Sequence, residues 1–534
     1  MRSGRGRHEG IPISRQKREK LLLTAILLVF LLSIIGSQAL TPVLMWDENA
    51  YLANARSHIS ESNYREDYRA PLLEYIIASV WYFTGESIFT ARLAVSLMAV
   101  ASIFLVYLIT RDIFRESRDA GSGKKARRED TSGRSAGGII DYRPTMFALI
   151  FGICPLFLFW GNKAYPNVPA LFLATASFYF IMKSAMNSGE GYDDSSEASI
   201  YNPAVISGVF AGLAFLMRYT MALFAVSVFA YLIFTRRGRQ LFSFAAASFL
   251  AILPWLFLNI LEHGNPLHSL IYSYNQISSY TAGSYAPPIV QLQNIAGFMG
   301  ILLIFLPFGL YWMCRAGRGK NDRKKKDRGR KSGRDDGGRG ILLILAGHAV
   351  LFYALHLFLV SMKLARYNVE ILSAMYIMAF AGIVFIDGKI SGRIIARGRD
   401  PLRISFYAIL LLATVSASIV HVASEYRGPE SIYSMECSIY KSVKAAEDLP
   451  EDAVYASNFR PYFGYYNNLE VYSLWTDDLM ELNEIYGLDY IIYSDNFGIL
   501  YDEEVFDREY LDPVGEVSAC GDTVRFYRIK EGGA

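Results

Sequence analysis

Apolar residues in this 534-residue chain are gathered into blocks that are separated by shorter polar stretches. Each block is about 20 residues long, which is the length a helix needs to cross the hydrocarbon core of a bilayer. The pattern predicts about eleven membrane-spanning helices, some of them interrupted. The predicted spans are residues 21–40, 88–113, 144–161, 168–186, 203–217, 220–235, 241–261, 293–314, 341–361, 368–386 and 401–421.

Lysine and arginine are concentrated in alternate loops, which predicts the orientation of the spans. Loops 111–143, 236–239, 315–339 and 389–403 are basic, as loops on the cytoplasmic side are. Loop 187–202 is predicted on the same side although it is acidic, because acidic residues contribute little to orientation. The chain is therefore predicted to be a multi-pass membrane protein with a cytoplasmic N-terminus, and we expect it in the plasma membrane.

The two ends of the chain differ from the apolar region between them. Residues 1–20 are basic and lead into a run longer than a signal-peptide core, without a small-residue cleavage site directly after it. We therefore predict a cytoplasmic tail at 1–20, a transmembrane domain at 21–421 and an extracytoplasmic domain at 422–534. The first external loop is 41–87.

Residues 422–534 have the pattern of a small soluble α/β domain. Apolar and aromatic residues alternate at 453–457 and 490–493, and a helical pattern covers 477–486. Cys437 and Cys520 both fall here, and a disulfide between them and two free thiols remain open alternatives.

Composition agrees with a membrane protein and limits the partners. The chain is 52% apolar and 14% aromatic, with only 19% charged residues. Membrane lipids are therefore its immediate surroundings. The net charge of +3 carries little information, because the side on which each charge lies is what matters. We expect no nucleic-acid partner.

The first external loop contains the most informative polar residues. Asp47 and Glu48 follow the first span by a few residues, at the depth of lipid phosphates. If 47–59 is helical, Asp47, Tyr51 and His58 lie close to one face. Arg69 precedes a proline suited to the first turn of a second helix, and a guanidinium beside free backbone N–H groups favours phosphate binding.

These residues carry a resemblance to a known family. The ordered motifs are Asp47-Glu48-x-x-Tyr51, Arg69-x-Pro71-Leu72, Thr84-Gly85 with Arg92-Leu93, Gly208-x-x-x-Gly212 with Arg218-Tyr219, Pro254-Trp255 with His263-Gly264-Asn265-Pro266, and Lys363-Leu364-Ala365-Arg366-Tyr367. Together they resemble the GT-C glycosyltransferases of the protein O-mannosyltransferase and aminoarabinose-transferase type. The resemblance implies a polytopic helical GT-C fold, a polyprenyl- or dolichyl-phosphate sugar donor, and a catalytic site on the external face.

The resemblance also implies roles for individual residues. Asp47 matches the aspartate that acts as general base during inversion, and Glu48 would support it. Two adjacent carboxylates are expected to raise one another's proton affinity. The residues expected to bind phosphate or substrate are Tyr51, Arg69, Arg218, Lys363, Arg366 and Tyr367. Arg69 departs from the family pattern, which has lysine there.

Each candidate also has a structural interpretation. The carboxylate pair could cap the loop helix, and the arginines could reach toward lipid headgroups. The second external loop lacks the acidic residue of some relatives, so Asn162 and Asn167 are candidates for sugar hydroxyls instead. His58, Glu262, His263 and His268 are candidate ligands for a divalent metal ion, although their spacing matches no fixed motif and no cofactor is certain.

The hypothesis is a membrane glycosyltransferase that moves mannose, another hexose or an aminosugar to a protein, lipid or glycan acceptor. A transporter of polyprenyl-linked sugars or polysaccharides is the alternative, and it would require ionisable residues deep inside several spans. An external binding protein on a membrane anchor would need only one or two spans.

Overall fold

The structure is a computed structural model. It describes residues 15–40, 43–62, 64–121, 142–187, 202–281, 286–323, 340–358, 360, 364–394, 400–427, 439, 441–444, 446–450, 453–469, 471–474, 479–494, 511–519 and 522–530. Lys363, Cys437 and Cys520 lie outside these residues, so the predicted role of Lys363 and the alternatives for the cysteine pair stay predictions.

Helices form most of the described chain. The membrane region contains α1 Arg15–Leu40, α2 Trp46–Ser57, α3 Leu72–Thr84, α4 Ile88–Gly121, α5 Arg143–Gly152, α6 Pro155–Trp160, α7 Asn167–Asn187, α8 Pro203–Met217, α9 Ala222–Phe234, α10 Gly238–His263, α11 His268–Thr281, α12 Pro288–Met299, α13 Leu306–Arg323, α14 Leu343–Phe358, α15 Leu372–Ile394 and α16 Asp400–Arg427. Short 3-10 helices lie at Tyr219–Met221, Gly300–Phe305 and Ala365–Ile371.

The length and composition of these helices are those of a membrane protein. Six are long and apolar enough to cross a bilayer: Lys17–Ala39, Ile88–Ile113, Asn167–Met186, Gly238–His263, Pro288–Cys314 and Ala365–Asp387. Five shorter apolar helices lie at Leu72–Thr84, Pro203–Met217, Tyr219–Phe234, Leu343–Phe358 and Ser405–Ala417. All but one of the predicted spans therefore overlap one of these apolar segments, although the segment over 293–314 is interrupted at Gly300, which has φ 50° and begins a 3-10 helix.

The exception is the predicted span 144–161, which is two short helices. α5 ends at Gly152 and α6 begins at Pro155, with Ile153 and Cys154 between them. Proline lacks a backbone N–H, and it disfavours helical geometry in the residue before it. Cys154 accordingly has ψ 128°, outside the helical range. This apolar run is therefore one of the interrupted ones.

Small residues let the membrane helices approach closely. A Cβ added at Gly208 would lie 2.4 Å from the Phe244 carbonyl oxygen, and one at Gly212 would lie 2.6 Å from that of Ser248. The two glycines are one turn apart on α8, and both face α10. The Gly208-x-x-x-Gly212 motif therefore serves helix packing.

A small sheet closes the chain, as the alternation of residues predicts. Its strands are β1 Tyr455–Ser457, β2 Val471–Ser473, β3 Tyr490–Ser494, β4 Leu511–Ala519 and β5 Asp522–Ile529, in the order β2-β1-β3-β5-β4. β1 is parallel to both β2 and β3, whereas β5 is antiparallel to β3 and β4. A 3-10 turn at Ala446–Asp448 and the helices α17 Pro461–Tyr466 and α18 Leu479–Tyr486 accompany it.

This C-terminal region packs on the loop between α1 and α4. Trp46, at the start of α2, packs against the core of the sheet region and meets Tyr462 edge to face, with ring centroids 6.1 Å apart. Arg56, near the end of α2, donates to the carbonyl oxygen of Tyr465 at 2.7 Å. The loop that carries the candidate site is thus held between the membrane helices and the sheet.

Candidate active site

The candidate site begins with the first turn of α2. Glu48, three residues after Met45, accepts a hydrogen bond from the Met45 backbone N–H at 3.1 Å, which fixes the start of the helix. Asp47 precedes it and points elsewhere: its side chain keeps 19% of its exposure, against none for Glu48. Only the first of the two carboxylates is therefore open to a substrate.

Asp47 is held by two arginines from distant parts of the chain. Its Oδ1 lies 3.1 Å from Arg69 and its Oδ2 lies 3.1 Å from Arg366. Tyr165, in the second external loop, accepts hydrogen bonds from the Asp47 backbone N–H at 3.3 Å and from Arg366 at 3.4 Å. The first loop, the second loop and the segment before α15 therefore meet at Asp47.

The charges around Asp47 lower its proton affinity. Partial burial raises the pKa of Asp47, but the charges of Arg366, Arg69 and Arg218 outweigh burial and leave the pKa below its usual value. This is opposite to the increase expected from two adjacent carboxylates. That expectation was wrong because Glu48 points toward its own cation, Arg92.

Glu48 has a separate and fully buried partner. Both of its oxygens accept from Arg92 at 2.9 Å, and the backbone N–H of Ala164 donates to it at 2.8 Å. Burial raises the pKa of Glu48, but Arg92 and Lys163 outweigh it and the pKa is lowered. Glu48 thus ties α2 to the start of α4 and to the second loop.

A further cation, Arg218, lies beside the Asp47 clasp, the name we give to Asp47 with its partners Arg69 and Arg366. Arg218 sits over the ring of Tyr367 at 5.0 Å, and Arg366 lies 5.7 Å from the same ring. Arg218 is paired with the buried Glu370, which also accepts a hydrogen bond from Thr220. Arg218, Arg366 and Tyr367, predicted from motifs far apart in the chain, are therefore neighbours.

Tyr51 lies on the same side of α2 as Asp47. The Arg69 guanidinium is 5.1 Å from the ring of Tyr51 and 5.3 Å from that of Tyr68. Burial raises the pKa of Tyr51 to about 12, so its hydroxyl is protonated at neutral pH. It is a hydrogen-bond donor beside the cations.

His58 does not take part in this arrangement. α2 ends at Ser57, and His58 turns toward α3, where it lies 3.2 Å from Glu74 and stacks on Tyr75 at 4.5 Å. The shared face of Asp47, Tyr51 and His58 was predicted for a helix that continued to 59, and the helix stops before that.

Both asparagines of the second loop are buried. Asn162 donates to Ser37 of α1 at 2.7 Å, whereas Asn167 donates to the backbone oxygen of Arg366 at 3.0 Å. The side-chain oxygen of each has no hydrogen-bond partner among the described residues. Asn167 adjoins the clasp, and Asn162 faces the first span instead.

The candidate metal ligands form a different group from the predicted one. Asp67, Glu262 and His263 bring ligand atoms within 4.8 Å of one another, and His268 stacks on His263 at 4.0 Å. Arg65 lies 2.6 Å from Asp67 and 2.7 Å from Glu262. A guanidinium therefore already balances both carboxylates, which does not favour a resident divalent ion. The sequence missed Asp67, and His58 is elsewhere.

Four other residues of the site escaped the sequence analysis: Glu66, Lys163, Tyr165 and Glu370. All four are buried, at or below 4% exposure. A buried charge requires a partner, so an acidic residue at the start of a span, such as Glu370, was the available signal. Nothing in the sequence distinguished Tyr165 from the many other tyrosines.

Taken together, the site is a cluster of three arginines with one partly exposed carboxylate. The guanidinium groups of Arg69, Arg218 and Arg366 converge beside Asp47. Guanidinium groups can bind a phosphate by charge-assisted hydrogen bonds, and a carboxylate can accept a proton.

The fold is that of the GT-C glycosyltransferases, as the motif resemblance predicts. Crystal structures of ArnT from Cupriavidus metallidurans, one bound to undecaprenyl phosphate and one in the apo state, superpose with a TM-score of 0.56 at 14% identity, covering 96% of this chain and 98% of ArnT. Residues 141–261 match the family model for dolichyl-phosphate-mannose-protein mannosyltransferase.

A mycobacterial arabinofuranosyltransferase, AftD (mutant R1389S), aligns with a TM-score of 0.47 at 13% identity, over 98% of this chain and 42% of AftD. No curated protein sequence matches the chain.

Proposed function

We propose that the protein is an integral membrane glycosyltransferase that moves a sugar from a polyprenyl monophosphate carrier to an acceptor with inversion. The single observation that carries the proposal is the clasp of Asp47 by Arg69 and Arg366. The likeness to an ArnT structure bound to undecaprenyl phosphate supports the carrier. The family model matched at 141–261 supports sugar transfer.

The donor phosphate competes with Asp47 for the two arginines. In the structure both carboxylate oxygens are occupied by guanidinium groups, so Asp47 is a weak base. A phosphate that draws Arg69 and Arg366 toward itself removes these contacts and raises the proton affinity of Asp47. Donor binding would thereby activate the base when a substrate is present.

The transfer itself needs one proton acceptor and one stabilised leaving group. The acceptor hydroxyl attacks the anomeric carbon, and its proton goes to Asp47. The bond between the anomeric carbon and the phosphate oxygen breaks, and its electron pair stays on the phosphate. Arg69, Arg366 and Arg218 stabilise the negative charge that develops there. Tyr51 lies beside these cations and contributes a hydroxyl donor, and Tyr367 contributes the ring face on which Arg218 and Arg366 lie.

Glu48 has a supporting role in this proposal. It does not accept the proton, because its oxygens are fully used by Arg92 and two backbone N–H groups. It fixes the helix that carries Asp47.

The orientation follows from the basic loops. We propose that residues 1–20 are cytoplasmic, that 21–421 form the catalytic membrane domain in the plasma membrane, and that 422–534 lie outside with the site. Apolar residues around the first loop and α3 would then face the outer leaflet, where the lipid tail of the donor lies.

The test is transfer from a panel of polyprenyl-phosphate donors labelled in mannose, another hexose or an aminosugar, with membrane extract as acceptor. We expect wild-type protein to release label from one donor, and Asp47→Asn to release none. Asp512→Asn, an exposed aspartate of the sheet region paired with Lys530, is the matched control and should retain full activity. Folded wild-type protein that releases no label would refute the proposal and favour the transporter alternative, for which lipid flipping is the assay.

A further inference from the structure

The C-terminal sheet region reaches the site through a chain of alternating charges. Arg460, just before α17, has its Nε 3.6 Å from Oε1 of Glu66. Glu66 accepts a hydrogen bond from Arg69 with its other oxygen. Arg69 in turn donates to Asp47. Four residues therefore connect the soluble region to the carboxylate that the proposed function uses as base.

Glu66 is built into this position. Its side chain is 2% exposed, and its oxygens are also used by the Tyr64 hydroxyl. Its backbone N–H donates to Asn54 at 2.9 Å, and its carbonyl oxygen accepts from the same amide at 3.0 Å. Asn54 belongs to α2, the helix that carries Asp47. The segment before Arg69 is thus fixed to the site helix by its backbone and to the sheet region by its side chain.

The contact between the two regions is close as well as charged. Gly464 of α17 lies against the ring of Tyr64, so that a Cβ at this glycine would be 2.2 Å from a ring atom. The guanidinium of Arg460 also lies over the Tyr64 ring, 5.1 Å from its centroid. Ser62 donates to Asn468 at 3.0 Å beside them. Because these residues are closely packed, a displacement of α17 displaces the segment around Tyr64 as well.

We propose that Glu66 and Arg460 are positioning residues for the transfer reaction, through which the C-terminal sheet region sets the orientation of Arg69. This inference rests on the proposed function. Without Glu66, the guanidinium of Arg69 loses its fixed partner and is drawn wholly to Asp47, where it blocks the base and meets the phosphate in the wrong orientation. Without Arg460, Glu66 loses a charge that holds it toward the sheet region.

The experiment has one readout that does not depend on activity. Amide hydrogen exchange at residues 64–70 is measured in wild type, in Arg460→Met and in Arg528→Met, which removes an exposed arginine from β5 of the same sheet region. We expect faster exchange at 64–70 in Arg460→Met only. Exchange at the wild-type rate in Arg460→Met would overturn the inference, whether or not the protein transfers sugar.

The second readout is a double-mutant cycle on transfer kinetics. We expect Glu66→Gln to lower kcat roughly 10- to 100-fold and Arg460→Met about tenfold, with KM for the donor changed less, because partners of a catalytic group act at this scale. The double variant should be no slower than Glu66→Gln alone, and Arg460→Lys should recover part of the loss. Losses that multiply, or Arg460→Met at wild-type kcat, would overturn the inference. If exchange at 64–70 is faster in Arg460→Met but wild-type protein transfers no sugar, the proposed function is refuted, whereas the contact between the sheet region and residues 64–70 is supported.

Discussion

Glu48 and Asp47 are adjacent acidic residues, yet we expect their substitutions to have different effects. Substitution of Glu48 should mainly lower stability, whereas substitution of Asp47 should mainly lower activity. Each oxygen of Glu48 accepts two hydrogen bonds: one takes Arg92 and the Ala164 N–H, and the other takes Arg92 and the Met45 N–H. In Glu48→Gln the amide nitrogen replaces one of these oxygens in either orientation. Two buried donors then face a donor, and the charge of Arg92 is left without its partner.

The magnitude follows from this geometry. Removing one partner of a buried ion pair destabilises a protein by about 3–5 kcal/mol, and we expect Glu48→Gln in this range. Asp47→Asn should destabilise the protein less than Glu48→Gln does, because the Asp47 carboxylate keeps 19% of its exposure and Arg69 keeps its bond to Glu66. Denaturant titration of purified protein in detergent measures both. The double variant Glu48→Gln with Arg92→Met should lose less than the sum of the single changes.

The reasoning would be refuted if Glu48→Gln unfolded within about 1 kcal/mol of wild type, since a bidentate buried pair cannot be removed so cheaply. It would also be refuted if Asp47→Asn were as unstable as Glu48→Gln. Either result would mean that Glu48 does not have a mainly structural role and Asp47 a mainly catalytic one.

Three further predictions concern pH, packing and the arginine cluster. Arginine contacts lower the pKa of Asp47 in the free protein. As the pH is lowered, kcat, which reports the donor complex, should therefore decline before kcat/KM, which reports the free protein; the reverse order would contradict the competition for arginine. Gly212→Ala places a methyl group against the Ser248 carbonyl and should lower stability by about 1–3 kcal/mol in a denaturant titration. Gly297→Ala, with open space around it, is the control and should not lower stability. Equal effects of the two changes would argue against close packing of α8 on α10. Arg366→Lys retains the charge without the planar fork and should lower kcat roughly 10- to 100-fold in the transfer assay, and an unchanged kcat would remove Arg366 from the mechanism.

The membrane region was largely predictable because its signal is local. A run of apolar residues identifies a spanning helix whatever surrounds it, so the hydrophobic blocks and the observed helices agree. The interruption at 144–161 has a local cause too: Pro155 disfavours helical geometry in the residue before it, and a count of apolar residues does not record this.

The site was predictable where a motif matched the family pattern. Asp47, Arg69 and Arg366 came from such motifs, and the structure brings the three together although Arg366 is far away in the chain. Glu66, Tyr165 and Glu370 matter because distant segments converge on them, and no spacing in the sequence records that convergence. The ion pair of Glu48 with Arg92, 44 residues away, is likewise not recorded by any spacing in the sequence.

The C-terminal region was predicted as a soluble α/β unit from alternation alone. Its five-stranded sheet agrees with that pattern. The contact of Arg460 with Glu66 was not predicted. Both are charged residues in polar stretches of the sequence, where a solvent-exposed position is the usual expectation.

The central claim is that Asp47 accepts the proton while the arginines hold the phosphate. Its most direct test is a single-turnover measurement with donor labelled in the sugar, in wild type and Asp47→Asn, with the Kd for the donor measured on the same samples. We predict a transfer rate at least roughly 100-fold lower in Asp47→Asn. We also predict a Kd no higher than that of wild type, because the carboxylate that competes with phosphate is gone. Transfer at the wild-type rate, or loss of donor binding as the sole cause of inactivity, would contradict the account.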